Sequence, residues 1–272
     1  MDRDKQIERS RYEARASSQL AVGGAAGAAA LGSQTMPAYL QAPYLLYERR
    51  IGELIDPAHR VLDLGAGSGL HTLALLRTGA QVVASDISPQ SLLLLGRAMG
   101  AAGGRLETQV ADMEQTPFDD ASFDAIVSAG SLSYGDPARV DAEIRRLLRP
   151  GGRLIVVDSL NHNPVYRFNR WLHLLRGNRS RSTLLRMPGL ARIDALRQGF
   201  GSAETYFFGT VSYAMPVLAR ITGENRAGVF SDCLDRWIGT RRSAFKFVLV
   251  ARDFSPDHGT TQAESDPLQE YP

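Results

Sequence analysis

Asp63, Gly65, Gly67 and Gly69 alternate along the run Val61-Leu-Asp-Leu-Gly-Ala-Gly-Ser-Gly-Leu-His71, a spacing suited to cradling a nucleotide-like ligand. Glycines reach backbone angles that other residues avoid, and without a Cβ they let a ligand lie against the main chain. Free amides at the start of the following helix favour a negatively polarised group. A glycine trio alone is equally compatible with an ordinary strand-to-helix turn. Asp86 tilts the balance, because it ends the run Gln81-Val-Val-Ala-Ser85. An acidic residue about 20 positions past the glycines, at the end of the next strand, is where such folds hold a ribose hydroxyl pair. Its carboxylate can accept two hydrogen bonds from vicinal hydroxyls. Ser88 and Pro89 already supply a helix cap and first-turn residue, so Asp86 is not needed for capping.

The elements that must position these residues follow from apolar periodicity. The spacing predicts strand 61–64, helix 69–78, strand 81–85, helix 89–101, strands 105–110 and 123–128, helix 137–148 and strand 153–157. Such alternation implies a doubly wound α/β fold with a mostly parallel sheet covered on both faces. Ligands then sit beyond the carboxyl ends of the strands. Asp63, Asp86, Asp112, Ser128 and Asp158 all fall at such ends. Further strands are expected near Glu204–Gly209 and Ala244–Ala251. Between them, residues 211–240 carry two helical stripes, Val217, Leu218 and Ile221, then Val229, Leu234 and Ile238. So long a stretch implies structure of its own, and we read a small helical cap.

A dinucleotide fingerprint wants G-x-G-x-x-G, and here Leu70 stands where the third glycine belongs. The pattern Asp63-x-Gly65-x-Gly67-x-Gly69 with Asp86 instead resembles the first two motifs of class I S-adenosylmethionine-dependent methyltransferases. Ala111-Asp-Met113, Ser122-Phe-Asp-Ala-Ile-Val-Ser128 and Leu147-Leu-Arg-Pro-Gly-Gly-Arg-Leu154 follow in the order of that family. The resemblance is to its small-molecule members, of the type 11 or quinone-methyltransferase-like group. It implies a Rossmann-like seven-stranded sheet with an antiparallel last strand and the cap inserted between the last two strands. It also implies S-adenosyl-L-methionine as cofactor. By the same resemblance Asp63, Gly65, Ala66, Gly67 and Gly69 hold the methionine end, Asp86 with Ile87 the ribose, and Asp112 with Met113 the adenine, with Ser128 also on the cofactor side.

In that family the segment before the first strand often closes over cofactor and acceptor, which draws attention to Tyr12, Tyr44 and Tyr47. A tyrosine face can lie against a sulfonium or an adenine. Tyr44, Leu45, Tyr47 and Ile51 also share the spacing of a helix face packed on a sheet, so core packing and site lining both stand for Tyr44 and Tyr47. Ser131-Leu-Ser-Tyr134 follows the fourth strand, where related enzymes line the junction of cofactor and acceptor. The Asn/Asp-Pro-Pro-Tyr signature of many adenine and glutamine N-methyltransferases is absent there. The expected acceptor is therefore a small molecule, not a nucleic acid, and transfer to oxygen is the expected reaction. Transfer to an activated carbon and a non-catalytic binding subunit are the alternatives. A hydroxyl acceptor needs a base, for which His162, in the loop after the fifth strand, is the candidate. Tyr134 would orient the acceptor and Arg167 would favour an anionic or carbohydrate-like one. No H-x-x-x-H or C-x-x-C spacing suggests a metal site.

With 272 residues and a formal net charge of +2, the chain can bury a large core but lacks the overall basic field that grips a nucleic-acid backbone. A single cysteine, Cys233, leaves no internal disulfide, fits a cytoplasmic setting and reads as a buried or half-buried thiol. Residues 1–35 read as an N-terminal helix with an Ala/Gly linker too short and weakly apolar to span a bilayer. Residues 36–254 form the expected domain, and 255–272 a disordered tail.

Overall fold

The computed structural model describes residues 36–100, 105–168, 181–211, 214–238 and 243–256, with Gln6, Ser10, Glu13, Ser33 and Arg241. Tyr12, the basic stretch around Trp171 and the expected tail beyond 256 lie outside the described residues. Seven strands form one sheet: β1 (Arg60–Leu64), β2 (Gln81–Asp86), β3 (Leu106–Val110), β4 (Phe123–Ala129), β5 (Leu148–Ser159), β6 (Phe200–Phe208) and β7 (Lys246–Phe254). Their spatial order is β3-β2-β1-β4-β5-β7-β6. Strands β1 to β5 pair in parallel, and β7 runs antiparallel to both neighbours. The helices are α1 (Ala42–Leu54), α2 (Thr72–Arg77), α3 (Pro89–Met99), α4 (Pro137–Leu147), α5 (Arg181–Leu185), α6 (Leu190–Arg197), α7 (Met215–Thr222) and α8 (Glu224–Ile238). The expected Rossmann-like architecture is present, antiparallel last strand and cap included.

The central strands read as unbroken apolar runs because both faces of the sheet are covered, and alternate residues serve opposite layers. Leu62, Leu64, Ile126, Val156 and Leu249 pack with Val140, Ile144 and Leu147 of α4 and Ile193 and Leu196 of α6. Val61, Val82, Val127, Val157 and Val248 face the other way, onto Leu46, Tyr47 and Ile51 of α1 and Leu75 of α2. Helix α3 sits over Ala84 through Leu92, Leu95 and Met99.

Four local expectations change. The helix after the glycine turn begins at Thr72 rather than 69, since Gly69 takes a φ of +85° that no helix accommodates. Strand β5 starts at Leu148. Its Pro150-Gly151-Gly152 stretch, left outside the expected strand 153–157, is an irregularity within the β4–β5 pairing, with Gly151 at a φ of +77°. In the cap, Val217, Ile221 and Val229 face solvent. The buried face of α8 is made instead of small residues, Ala227, Gly228 and Ser231. A Cβ at Gly228 would lie 3.2 Å from Ala38, so α8 docks by close backbone approach onto the turn Ala38–Leu40. Cys233 lies off that face and is exposed, contrary to the sequence expectation. Among the described residues no helix is long and apolar enough to cross a membrane.

Ile126 is fully buried at the sheet centre. Replacing it by alanine should lower the unfolding free energy by about 2–5 kcal/mol, read as a reduced urea midpoint with an unchanged m-value.

Candidate functional site

The site is built at the carboxyl ends of β1, β2, β4 and β5. The pairing of Asp63 with Ala84 and Leu64 with Ser85 brings Asp63 and Asp86 to the same end of adjacent strands. Asp63 is 5% exposed and accepts a 2.7 Å bond from the Thr72 hydroxyl on Oδ2. Its Oδ1 has no hydrogen-bond partner among the described residues. Burial pushes its pKa from 3.8 to about 6, against the lowering effects of the Thr72 bond and of nearby His71.

Asp86 closes the glycine turn. Oδ2 accepts from the Gly67 amide at 2.9 Å and Oδ1 from the Ser88 amide at 2.8 Å. Burial raises its pKa, and those amides with that of Ile87 pull in the other direction. The amides of Gly65 and Ala66 go to the Ser85 carbonyl, and that of Gly69 to the Ala66 carbonyl. The turn therefore offers shape more than free donors, a correction to the reading from sequence. At Gly67 an added Cβ would meet nothing within 4 Å, so the main chain there borders open space. At Gly65 it would meet the Ser131 side chain at 2.5 Å, with the Met113 methyl at 3.2 Å. Thus Met113 comes within reach of the glycine turn, and Asp112 at its flank accepts from the Glu114 amide.

Beyond β4, Ser128 and Ser131 share a 2.6 Å hydroxyl bond, and Ser131 donates to the Leu64 carbonyl. Asp158, at the end of β5, is buried and accepts from the amides of Leu132 and Ser159. Tyr134 is half-buried in the short turn Leu132–Tyr134. His162 is exposed, and its loop is fixed on both sides, with Asn161 donating to the Pro188 carbonyl and Asn163 to that of Ser243. No described contact joins the His162 ring to the Asp63–Asp86 cluster. Arg167 is exposed as well.

The N-terminal side enters through α1. Tyr44 stacks on His71 with centroids 4.9 Å apart, while Tyr47, 1% exposed, meets His71 edge-on from within the core. His71 Nδ1 lies 2.9 Å from Glu48, and Glu48 also accepts from the amide and hydroxyl of Ser33. Burial would raise the Glu48 pKa, but the bonds from His71 and Ser33 hold it below the usual value. Sequence reasoning missed Thr72 and Glu48. Glu48 stands one helical turn beyond Tyr44, which is the only sign it gives.

The matched family accords with this arrangement. Residues 62–156 match the family described as "Methyltransferase domain". Over 100 residues the chain is 42% identical to a demethylmenaquinone methyltransferase of Clavibacter sepedonicus, 36% of this chain and 40% of the relative. An uncharacterized methyltransferase of Mycobacterium tuberculosis is 45% identical over 100 residues, 37% of this chain and 40% of the relative. The chain thus aligns with well under half the length of these curated relatives. The stretch that holds the glycine turn, Asp63 and Asp86 thus belongs to a methyltransferase domain. The chain's fold is shared with geranyl diphosphate C-methyltransferase from Streptomyces coelicolor, at a TM-score of 0.54 and 20% identity, covering 79% of this chain and 80% of that one. It is shared equally with the [4+2]-cyclase SpnF, at a TM-score of 0.53 and 21% identity over 78% of this chain and 81% of that one. Fold alone does not name a reaction.

The methyltransferase domain's Asp63 gives a test of the site's electrostatics. An acid whose folded pKa exceeds its unfolded one binds its proton more tightly when folded. Stability is therefore lost as pH rises from 3.8 towards about 6. At about 1.4 kcal/mol per tenfold change in proton affinity, the penalty at neutral pH is about 3 kcal/mol. Asp63→Asn keeps an acceptor for Thr72 and removes that penalty. The cofactor-free variant should be more stable than the parent at pH 7.5 and similar near pH 4 by urea denaturation. A variant no more stable than the parent at pH 7.5 would contradict the assignment.

Proposed function

We propose that this protein transfers the methyl group of S-adenosylmethionine to a small-molecule acceptor, with oxygen as the atom methylated. The observation that carries the reading is the pair of buried carboxylates at the ends of β1 and β2. Asp63 keeps an unpartnered oxygen where burial disfavours its charge, a setting that an ammonium group would relieve. Asp86 uses one lone pair on each oxygen for the amides of Gly67 and Ser88, which leaves capacity on both for vicinal hydroxyls. Open space at Gly67 and the approach of Met113 to Gly65 suit an adenosine lying along the turn, with Asp112 beside it.

When bound, S-adenosylmethionine supplies a methyl on a positively charged sulfur, already activated for displacement. The chain's task is then largely to align an acceptor with it, and alignment alone can supply much of the acceleration. Tyr44 and Tyr134, both half-buried at the ligand end, are the residues we assign to orienting the acceptor. The exposed His162 would have to turn inward to take a proton, so we give it no such role, and the acceptor oxygen enters already ionised, its proton lost to water before transfer. His162→Ala should keep kcat well clear of the roughly 10²–10⁴-fold drop that loss of a general base causes.

A second reading, transfer to carbon, is favoured by the 42% identity to a protein named demethylmenaquinone methyltransferase. Incubation with methyl-¹³C cofactor and candidate hydroxyaromatic and quinol acceptors separates the two, because the carbon chemical shift of the product tells an O-methyl from a C-methyl group. Binding is tested independently by calorimetry. Asp86→Ala removes two bonds to a charged acceptor, each worth about 1.5–3 kcal/mol, so affinity for S-adenosylmethionine should fall at least tenfold. Unaltered affinity would refute the placement of the ribose.

A further inference from the structure

Helix α8 presents different chemistry inward and outward. Arg226, Val229, Phe230, Cys233 and Trp237 recur every three or four residues, which sets them on one stripe of the helix, and all of them are exposed. Trp237 is 89% exposed and Val229 72%. The carboxylates of the helix lie off this stripe. Asp235 accepts the amides of Gly209 and Thr210, and Asp232 borders the small cavity between Lys246 and Tyr39. Glu224, two positions before Arg226, projects from the opposite side of the helix. The outward stripe is therefore apolar and aromatic, with Arg226 as its charged residue.

Helix α7, which packs on α8, repeats this composition on a smaller scale. Val217, Arg220 and Ile221 share its exposed side, and its sequence contains no acid. Both helices follow β6 where its last residue, Phe208, pairs with Lys246, so the cap stands at the ligand end of the sheet. Aromatic and aliphatic side chains gathered on one exposed face mark a contact surface. A tryptophan with arginines beside it and no carboxylate suits the boundary between phosphate headgroups and acyl chains, where the ring meets both media and the guanidinium fork fits phosphate. A second copy of the chain is a poorer fit. From Arg226 to Trp237 the stripe runs only about 16 Å, a handful of side chains against the roughly 20–30 residues a side of a stable protein interface.

We propose that the outer face of the cap docks on an anionic phospholipid bilayer, with Phe230 and Trp237 seated at the boundary of headgroups and acyl chains and Arg220 and Arg226 against lipid phosphates. The helices lie on the bilayer and do not cross it, since α8 has 15 residues where a span needs about 20 apolar ones. Apolar burial and attraction to charged headgroups add in this mode of binding. The aromatic pair therefore sets how tightly the cap holds, and the arginines set which lipid it prefers. The proposal stands apart from the methyl-transfer reading and its test needs no turnover.

The experiment floats the full chain with vesicles of phosphatidylcholine alone or with an equal share of phosphatidylglycerol, and the fraction of protein carried up gives a partition coefficient. The parent should favour the charged vesicles, and added salt should weaken that preference. Phe230→Ser with Trp237→Ser should lower partition at least about tenfold. Arg220→Gln with Arg226→Gln should remove most of the preference for charged lipid. All four positions are exposed, so urea midpoints should stay near the parent's. If the paired aromatic change disturbs folding, Trp237→Ser alone serves for the same comparison. A parent that binds neither vesicle, that binds both alike, or that binds as well without its aromatic pair would overturn the proposal. So would a dimer that forms without vesicles and is lost in the aromatic variant by sedimentation velocity, which would assign the face to a second copy.

Discussion

The constraint on which the ligand end depends is the burial of two carboxylates at the ends of adjacent parallel strands. Asp63 and Asp86 each resist ionisation because water is withheld, and the charge of Asp86 adds to the pressure on Asp63. The chain meets this unequally. Asp86 receives two backbone amides and becomes part of the turn it closes. Asp63 receives one hydroxyl and is left wanting a cation. A sheet packed on both faces by apolar layers supplies the stability that lets such a site persist. Unmet charge concentrated at one end of an otherwise consistent fold is a mark of function.

Helix α1 answers the same constraint from above. Glu48, His71 and Ser33 form a connected polar group over the start of α2, where His71 also eases the charge on Asp63. Ser33 is thereby tied to the start of α2 through side chains, while α1 itself is held on the sheet by the buried Leu46, Tyr47 and Ile51.

Most of the sheet was legible because strands buried on both faces must be apolar throughout, and because Asp63, Asp86, Asp112 and Asp158 fall at or just past strand ends. The cap was legible only as helices. Its apolar stripes pointed to the wrong face, since α8 buries Ala227, Gly228 and Ser231 against Ala38. A docking surface of small residues leaves no hydrophobic period to read. The glycine turn was recognised by composition, while the use of its amides by Ser85 and Asp86 was not. Hydrogen bonds between sequence-distant backbone groups carry no residue-type signal. The burial of Lys246 was invisible for a related reason: a lysine opening a strand looks like any solvated terminus, yet it is 9% exposed beside the ring of Tyr44.

Likeness to relatives and position in the fold divide along the same line. The matched stretch, 62–156, contains the glycine turn, Asp86, Asp112 and Ser128, the residues that the family resemblance assigns to the cofactor. Helix α1, strands β6 and β7 and helices α5 to α8 lie outside it. Of these, α1, β6, β7 and α8 line the cavity at Lys246, with α8 held partly by backbone approach at Gly228 and by the carboxylate of Asp235 on two amides. Both contacts depend on the residue present, since a Cβ at Gly228 would crowd Ala38 and only a carboxylate at 235 serves both amides. What the chain adds to the matched stretch there is a wall whose charged side chains are Asp232, Asp235 and Lys246.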